Sequence, residues 1–239
     1  ILKKNKSLYK KFFKRYGPLI LIMTFFSGIV LTSFYIILQP KITLPIYSPN
    51  MVSSELVEED IRHVKKYHKI SNFSLTNQNG KIITQEYYDN KIYIADFFFT
   101  TCPTICPIMT ENMFQIQEKT IGNDVLLVSY SVTPEIDSTA QLKKYALEKG
   151  VNDNKWNLLT GDKKQIYDLA RKSYLVAKND GDGGKYDMIH TENFVLIDKE
   201  KRIRGFYDGT NNEEMDKLLK DVKILENSYK NSKNEKISI

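Results

Sequence analysis

The sequence predicts an α/β fold, a central mixed sheet flanked by helices, with one transmembrane helix before it. Three observations lead to this prediction. Apolar runs rich in β-branched and aromatic residues alternate with helix-like segments across residues 68–226. A stretch near the N-terminus, 18–38, contains no charged residue. Both cysteines of the 239-residue chain, Cys102 and Cys106, lie where the first long apolar run gives way to a helix-like segment.

The uncharged stretch 18–38 is long enough to cross a bilayer. As a helix it spans roughly 31 Å, against a hydrocarbon core of about 30 Å. A buried soluble helix and a cleaved signal peptide are the alternatives. A signal peptide usually has a shorter apolar core and a small-residue cleavage site, whereas this run closes on Leu38-Gln-Pro-Lys41. An uncleaved anchor is therefore the favoured interpretation.

The positive charge of the chain is concentrated before this stretch. The net charge is +6, and the arm 1–17 carries seven Lys and Arg residues and no acidic residue. The rest of the chain is therefore close to neutral, which argues against nucleic-acid binding by the folded domain. By the positive-inside rule, the N-terminus is expected to stay inside and the domain to lie across the membrane.

Two further segments flank the predicted domain 68–226. Residues 39–67 contain three prolines and several charges, and are predicted to be a linker or juxtamembrane segment. Residues 227–239 are predicted to be a polar, frayed tail.

The strands are predicted from short apolar or β-branched runs bounded by turn signals. The first two form a hairpin across the turn signal Asn77-Gln-Asn-Gly80. The predicted strands are 70–75, 81–84, 92–99, 125–132, 156–159, 193–198 and 202–207.

Helices are predicted where apolar residues recur every three or four positions after a start signal. The start signals are Pro107 for helix 107–119, Asp137 and Asp162 as caps of the next two helices, and Thr210 with Glu213 as a capping box for the last. A β-α-β-α-β-β-α core with a cysteine motif at its first strand–helix turn is the thioredoxin-like arrangement.

Cys102 and Cys106 are four residues apart, and each is followed by a proline. On a loop that enters a helix, their sulfur atoms can converge to form a disulfide or to bind one metal ion. The helix dipole is expected to favour the thiolate of Cys106, because this residue lies next to the helix start. A purely structural disulfide is an alternative, but a bridge that closes so small a loop would constrain little of the unfolded chain.

Of the three histidines, His190 is the candidate third ligand. His63 and His68 lie in polar stretches and are interpreted as solvated. In a thioredoxin-like fold, the loop between the glycine-rich segment 178–185 and strand 193–198 packs against the cysteine turn. Thiol–disulfide exchange enzymes of the thioredoxin type use Cys-x-x-Cys and carry a proline in this loop, where this chain offers His190.

Two thiolates and one imidazole form a soft ligand set, which favours Cu(I) or zinc. Iron–sulfur clusters normally need four thiolates, so two cysteines are too few. A zinc site with two cysteines, one histidine and a water molecule is chemically possible. A redox-capable, three-ligand transfer site fits copper better, with one copper ion per chain bound by Cys102, Cys106 and His190.

The motifs resemble those of the SCO/SenC family. The matching stretches are Asp96–Pro107 (DFFFTTCPTICP), Ser129–Pro134 (SYSVTP), Trp156–Gly161 (WNLLTG) and His190 ahead of NFVLID. The resemblance implies a membrane-tethered copper chaperone that assists assembly of the CuA site of cytochrome c oxidase. It implies copper binding by Cys102, Cys106 and His190, and a redox-active disulfide between the two cysteines.

Partners and location follow from the same resemblance. The expected partners are the oxidase subunit that carries the CuA site and an upstream copper donor or thiol reductant. The domain is expected in the bacterial periplasm or the mitochondrial intermembrane space. Two positions depart from the family pattern, namely Thr133, where members often have Asp, and Ile189, where many have an acidic residue. They affect the surroundings of the ligands and not the ligand set.

Two other functions stay open for the same cysteines. The chain could be a membrane-anchored thiol–disulfide oxidoreductase or thiol peroxidase, or a redox or metal sensor. Dependence on His190 separates these alternatives, because copper transfer needs the imidazole and simple dithiol exchange does not. A metallochaperone is favoured over an enzyme, with thiol–disulfide reductase activity as a possible addition.

Overall fold

The structure is a computed structural model that describes residues 2–38, 43–57, 59, 61–66, 68–178, 184 and 187–237. The chain divides into two compact units, before and after residue 43. The first unit consists of helix α1, Leu2–Leu38, which joins the basic arm and the apolar stretch into one helix. Within the described residues, it is the one helix that is long and apolar enough to cross a membrane, over Phe12–Ile36.

The described part of the second unit contains one seven-stranded sheet. Its strands are β1 Ser74–Asn77, β2 Ile82–Thr84, β3 Ile92–Phe98, β4 Val125–Ser131, β5 Trp156–Thr160, β6 Asn193–Ile197 and β7 Ile203–Asp208. They lie in the order β2-β1-β5-β4-β3-β6-β7. The central strands β3, β4 and β5 are parallel, and the strands outside them are antiparallel to their neighbours. The predicted mixed α/β sheet is confirmed, and all seven predicted strands are present.

Helices cover both faces of the sheet. Leu142, Leu218 and Met113 come from the helices on one face, and Ile166 and Leu169 come from the helical segment on the other. The helices of this unit are α2 Ile105–Lys119, α3 Thr139–Glu148, α4 Lys163–Asp168 and α5 Asn212–Ile237, with a π-helical turn Leu169–Ser173 after α4. The cysteines belong to the face covered by α2, α3 and α5.

Two helix caps differ from the prediction. The cap of α3 is Ser138, whose hydroxyl accepts from the N–H of Gln141, whereas Asp137 is fully buried and bonds elsewhere. The cap of α5 is Asn211, whose side chain accepts from the N–H of Glu213. The predicted cap Thr210 donates to Asp208 instead. In both places two adjacent residues can accept hydrogen bonds, and tertiary contacts decide which one caps the helix. The predicted cap Asp162 is confirmed.

Two helix ends also differ. Helix α2 starts at Ile105, so Cys106 lies in its first turn and Pro107 is its third residue. Helix α5 continues to Ile237, through the predicted frayed tail. Most of the glycine-rich segment 178–185 lies outside the described residues.

The compact unit extends from residue 43 and includes much of the segment that was predicted to be a linker. The buried guanidinium of Arg204 donates to the carbonyl oxygens of Leu44 and Pro45 at 2.6 and 2.8 Å. The N–H of Tyr47 donates to the carbonyl of Ile203 at 2.9 Å. A buried guanidinium needs acceptors for its N–H groups, and this segment supplies two of them.

Candidate metal centre

The two cysteines lie at the C-terminal end of β3, where the chain turns into α2. The N–H of Cys102 donates to the carbonyl of Phe99 at 3.3 Å, which closes the turn. Both thiols are free, and they are only 8% and 4% exposed. A hydrogen bond joins the two sulfur atoms, so the predicted convergence of the thiols is observed.

The two thiols have opposite acidities. Burial disfavours the thiolate of Cys102, but hydrogen bonds from Cys106 and from backbone N–H groups outweigh it and lower its pKa to about 7. Burial and the hydrogen bond to Cys102 raise the pKa of Cys106 to about 12. The prediction that the helix start favours the thiolate of Cys106 is therefore wrong. Cys106 is buried in the first turn of α2, which disfavours its charged form. Its thiol is the donor in the hydrogen bond to the sulfur of Cys102.

Asp137 fixes the start of the cysteine turn. Its carboxylate accepts from the hydroxyl of Thr100 at 2.5 Å and from the N–H of Thr100 at 3.2 Å. It also accepts from the hydroxyls of Ser131 at 2.5 Å and Thr133 at 3.1 Å. The turn is thereby attached to the end of β4. The donor Thr133 is one of the two positions that depart from the family pattern.

Asp96 is a buried carboxyl on the same face of the sheet as the thiols. It is 2% exposed, and its Oδ1 has no hydrogen-bond partner among the described residues. Burial raises its pKa to about 7, against a hydrogen bond from the side chain of Ser129. Asp96 is a candidate functional residue to which the sequence motifs assign no role. A lone acidic residue inside an apolar strand was the available signal.

His190 lies beside the cysteine turn, but in this structure its imidazole does not form a metal-binding group with the two thiols. Its exposed ring packs edge-to-face on Phe99, with the ring centroids 6.1 Å apart. Phe99 is also the residue that accepts from the N–H of Cys102. Among the described residues, no three His, Cys, Asp or Glu side chains already form a group that could hold a metal ion.

The chemistry of these donors nevertheless fits a soft, monovalent metal. Two adjacent sulfur atoms, one of them ionised near neutral pH, form a bidentate thiolate pair. The imidazole of His190, exposed and packed on Phe99 of the cysteine turn, is the candidate for a third ligand. The same two thiols can also form a disulfide, so metal binding and oxidation exclude each other.

The sequence model of the SCO1/SenC family matches residues 62–225. The SCO1 protein homolog of Bacillus subtilis is 35% identical over 161 residues, which cover 65% of this chain and 82% of that protein.

Two solved structures illustrate the similarity of the fold. BsSco, described as a member of the Sco family of cytochrome c oxidase assembly proteins with a disulfide switch, is 33% identical with a TM-score of 0.57. That match covers 66% of this chain and 93% of BsSco. Arabidopsis thaliana ScoI with copper bound is 28% identical with a TM-score of 0.52, over 64% of this chain and 97% of that one.

Proposed function

This chain belongs to the SCO1/SenC family, and we propose that it is a copper-carrying protein that serves cytochrome c oxidase assembly from a membrane. Its relatives include a member of a family of oxidase assembly proteins and a protein that was crystallised with copper. The observation that carries the proposal is the pair of free, hydrogen-bonded thiols at one turn, with the imidazole of His190 packed on Phe99 of that turn.

Copper is the cargo in this proposal. Cys102 and Cys106 supply two thiolates, and His190 supplies a neutral nitrogen, with one copper ion per chain. Cu(I) prefers soft ligands and accepts low coordination numbers, so three protein ligands suffice and leave the ion open to a receiving site. The pKa of about 7 at Cys102 means that this sulfur needs little help to lose its proton near neutral pH.

The location and partners belong to the same proposal. Helix α1 anchors the chain, its basic N-terminus stays inside, and the domain faces the periplasm or the mitochondrial intermembrane space. The receiving partner is the oxidase subunit that carries the CuA site. The supplying partner is an upstream copper donor, or a thiol reductant that returns the two cysteines to their metal-binding state.

A second candidate function is thiol–disulfide exchange, which the lowered pKa of Cys102 favours. The thiolate of Cys102 attacks one sulfur of a partner disulfide and releases the other as a thiolate. Cys106 then loses its proton and attacks the mixed disulfide, which leaves a Cys102–Cys106 disulfide and a reduced partner. Two electrons pass from this chain to the partner, and His190 has no part in the reaction.

The test compares His190→Ala with His63→Ala in the full chain, reduced and held in detergent micelles. His63 is exposed and serves as the matched control. Wild type and His63→Ala are expected to bind about one Cu(I) ion per chain, and His190→Ala to bind about 100-fold more weakly. Unchanged copper affinity in His190→Ala, together with efficient reduction of a model disulfide, would establish the second function instead.

A further inference from the structure

The loop that carries His190 is attached to the end of β4 through one phenol. Tyr167, in α4, is 1% exposed. Its hydroxyl lies 3.0 Å from the carbonyl oxygen of Val132 and 3.0 Å from that of Asp187, so its one proton is shared between them. Its oxygen also has a hydrogen bond with the backbone of Ile189, the residue before His190. One side chain thus holds the main chain at two positions, three residues before the candidate ligand at Asp187 and next to it at Ile189.

A buried ion pair holds the base of the same loop. The guanidinium of Arg171 donates to both carboxylate oxygens of Asp187 at 2.7 Å, and both side chains are less than 10% exposed. The Nε of Arg171 also donates to the carbonyl of Lys178 at 2.8 Å. The ion pair is bidentate, which fixes orientation as well as distance. The loop therefore has two attachments, a charged one at Asp187 and a neutral one at Tyr167.

Both halves of the candidate site meet at the end of β4. Ser131 and Thr133 bind the carboxylate of Asp137, which holds the cysteine turn through Thr100. The carbonyl of Val132, between them, accepts from Tyr167 on the histidine side. Three consecutive residues thus connect the segment that carries the thiols with the segment that carries the imidazole.

We propose that Tyr167 is a positioning residue, which sets where His190 stands relative to Cys102 and Cys106. This proposal rests on the proposed function, in which His190 is the third copper ligand. His190 is exposed and must turn toward the thiols to bind. A loop that is already fixed at Asp187 and at Ile189 confines that movement to the imidazole itself. Without the phenol, copper binding must also order the main chain of the loop, which lowers the affinity.

The structure separates this role from a general effect on stability. Tyr167 bonds backbone atoms of the loop, so Tyr167→Phe removes the hydroxyl and keeps the buried ring. The ion pair of Arg171 with Asp187 remains and continues to hold the base of the loop. A matched control exists in Tyr207, a buried tyrosine whose hydroxyl donates to Asp221 at 2.7 Å, with no hydrogen bond to the histidine loop among the described contacts.

The experiment compares Tyr167→Phe with Tyr207→Phe in the full chain, in detergent micelles under reducing conditions. Cu(I) affinity is measured by competition with a chromophoric chelator. Tyr167→Phe loses about one hydrogen bond that orders the loop, so its Cu(I) binding is expected to be roughly tenfold weaker. The Cu(I) affinity of Tyr207→Phe should change within about twofold. Asp187→Asn, which removes the charged attachment, is expected to weaken binding as well.

A second readout uses the copper-free protein. The imidazole proton resonance of His190, identified by its loss in His190→Ala, is followed by NMR. Tyr167→Phe is expected to broaden or shift it, and Tyr207→Phe to leave it unchanged. A purely structural role would lower the unfolding temperature of both tyrosine variants without moving this resonance in either.

The outcomes distinguish the two proposals. If Tyr167→Phe binds copper and shows the His190 resonance as wild type does, while His190→Ala binds weakly, the positioning role is overturned and the proposed function stands. If His190→Ala also binds copper as wild type does, the proposed function fails at its third ligand. Equal losses of affinity in Tyr167→Phe and Tyr207→Phe would likewise overturn the positioning role.

Discussion

The hydroxyl of Thr100 donates to the carboxylate of Asp137 at 2.5 Å, which joins the cysteine turn to the segment that follows β4. Asp137 receives three further hydrogen bonds and is fully buried. A buried carboxylate is stable only when donors surround it, so this cluster holds its members in one arrangement. The geometry of the thiols therefore depends on a residue 31 positions beyond Cys106.

Replacing Asp137 is expected to loosen the cysteine turn. Asp137→Asn keeps the shape but turns one acceptor into a donor that faces the hydroxyl and N–H donors of its neighbours. The expected loss of stability is about 3 kcal/mol, measured by chemical denaturation. Asp162→Asn is the control, because asparagine caps a helix as well as aspartate does, and its change should stay within about 0.5 kcal/mol. Equal stabilities of the two variants would contradict the role of Asp137.

The two thiols are expected to react at different rates with an alkylating reagent. Cys102 ionises first, so its alkylation should rise with pH to a midpoint of about 7, while Cys106 stays protonated and unreactive. Mass spectrometry of the modified peptides identifies the site. Cys106→Ala removes the strongest hydrogen bond to the Cys102 sulfur and should move the midpoint upward. Preferential labelling of Cys106 in the wild type would disprove this order.

Asp96 is expected to make the protein less stable as pH rises. Its pKa in the folded state is raised to about 7, from 3.8, because burial disfavours the charged form. Between about pH 4 and 7 the folded state therefore holds the proton of Asp96 more tightly than the unfolded state does. The contribution of this proton to the free energy of unfolding is lost as pH rises from about 4 through 7. The difference between a pKa of 3.8 and a pKa of about 7 corresponds to a change of roughly 4 kcal/mol in the free energy of unfolding.

The measurement is denaturant unfolding between pH 4 and pH 8 for wild type and Asp96→Asn. The stability of wild type relative to the variant should fall with increasing pH and level off above pH 7, because asparagine does not titrate. Asp89→Asn is the control, since Asp89 is an exposed residue and should follow the wild-type profile. A difference between wild type and Asp96→Asn that is constant with pH would contradict the raised pKa.

Arg204 is expected to hold the segment around Leu44 and Pro45 on the domain. Arg204→Lys keeps the charge but cannot make all of these hydrogen bonds and its contact with buried Asp198. The variant should lose about 3 kcal/mol of stability, and hydrogen exchange at the amide of Tyr47 should become faster. Arg62→Lys, at an exposed arginine, should change neither quantity. Unchanged exchange at Tyr47 in Arg204→Lys would show that the segment is held without Arg204.

The strands and the cysteine turn could be predicted from the sequence because each depends on local patterns. Continuous apolar runs such as 92–99 are typical of central parallel strands, which are buried on both faces. The helix caps were less predictable. Ser138 was overlooked because Asp137 beside it is an equally good cap, and only the buried donors around Asp137 decide between them.

The sequence by itself determined the α/β class and the apolar helix near the N-terminus, and it predicts Cys102, Cys106 and His190 as the candidate metal ligands. These follow from periodicity, composition and side-chain chemistry, which are local properties. Tertiary structure alone decided that Cys102 and not Cys106 is the acidic thiol, and that one carboxylate oxygen of Asp96 is buried with no hydrogen-bond partner among the described residues. It also decided that Tyr167 holds the histidine loop. Each of these depends on burial and on partners distant in sequence, which no local pattern encodes.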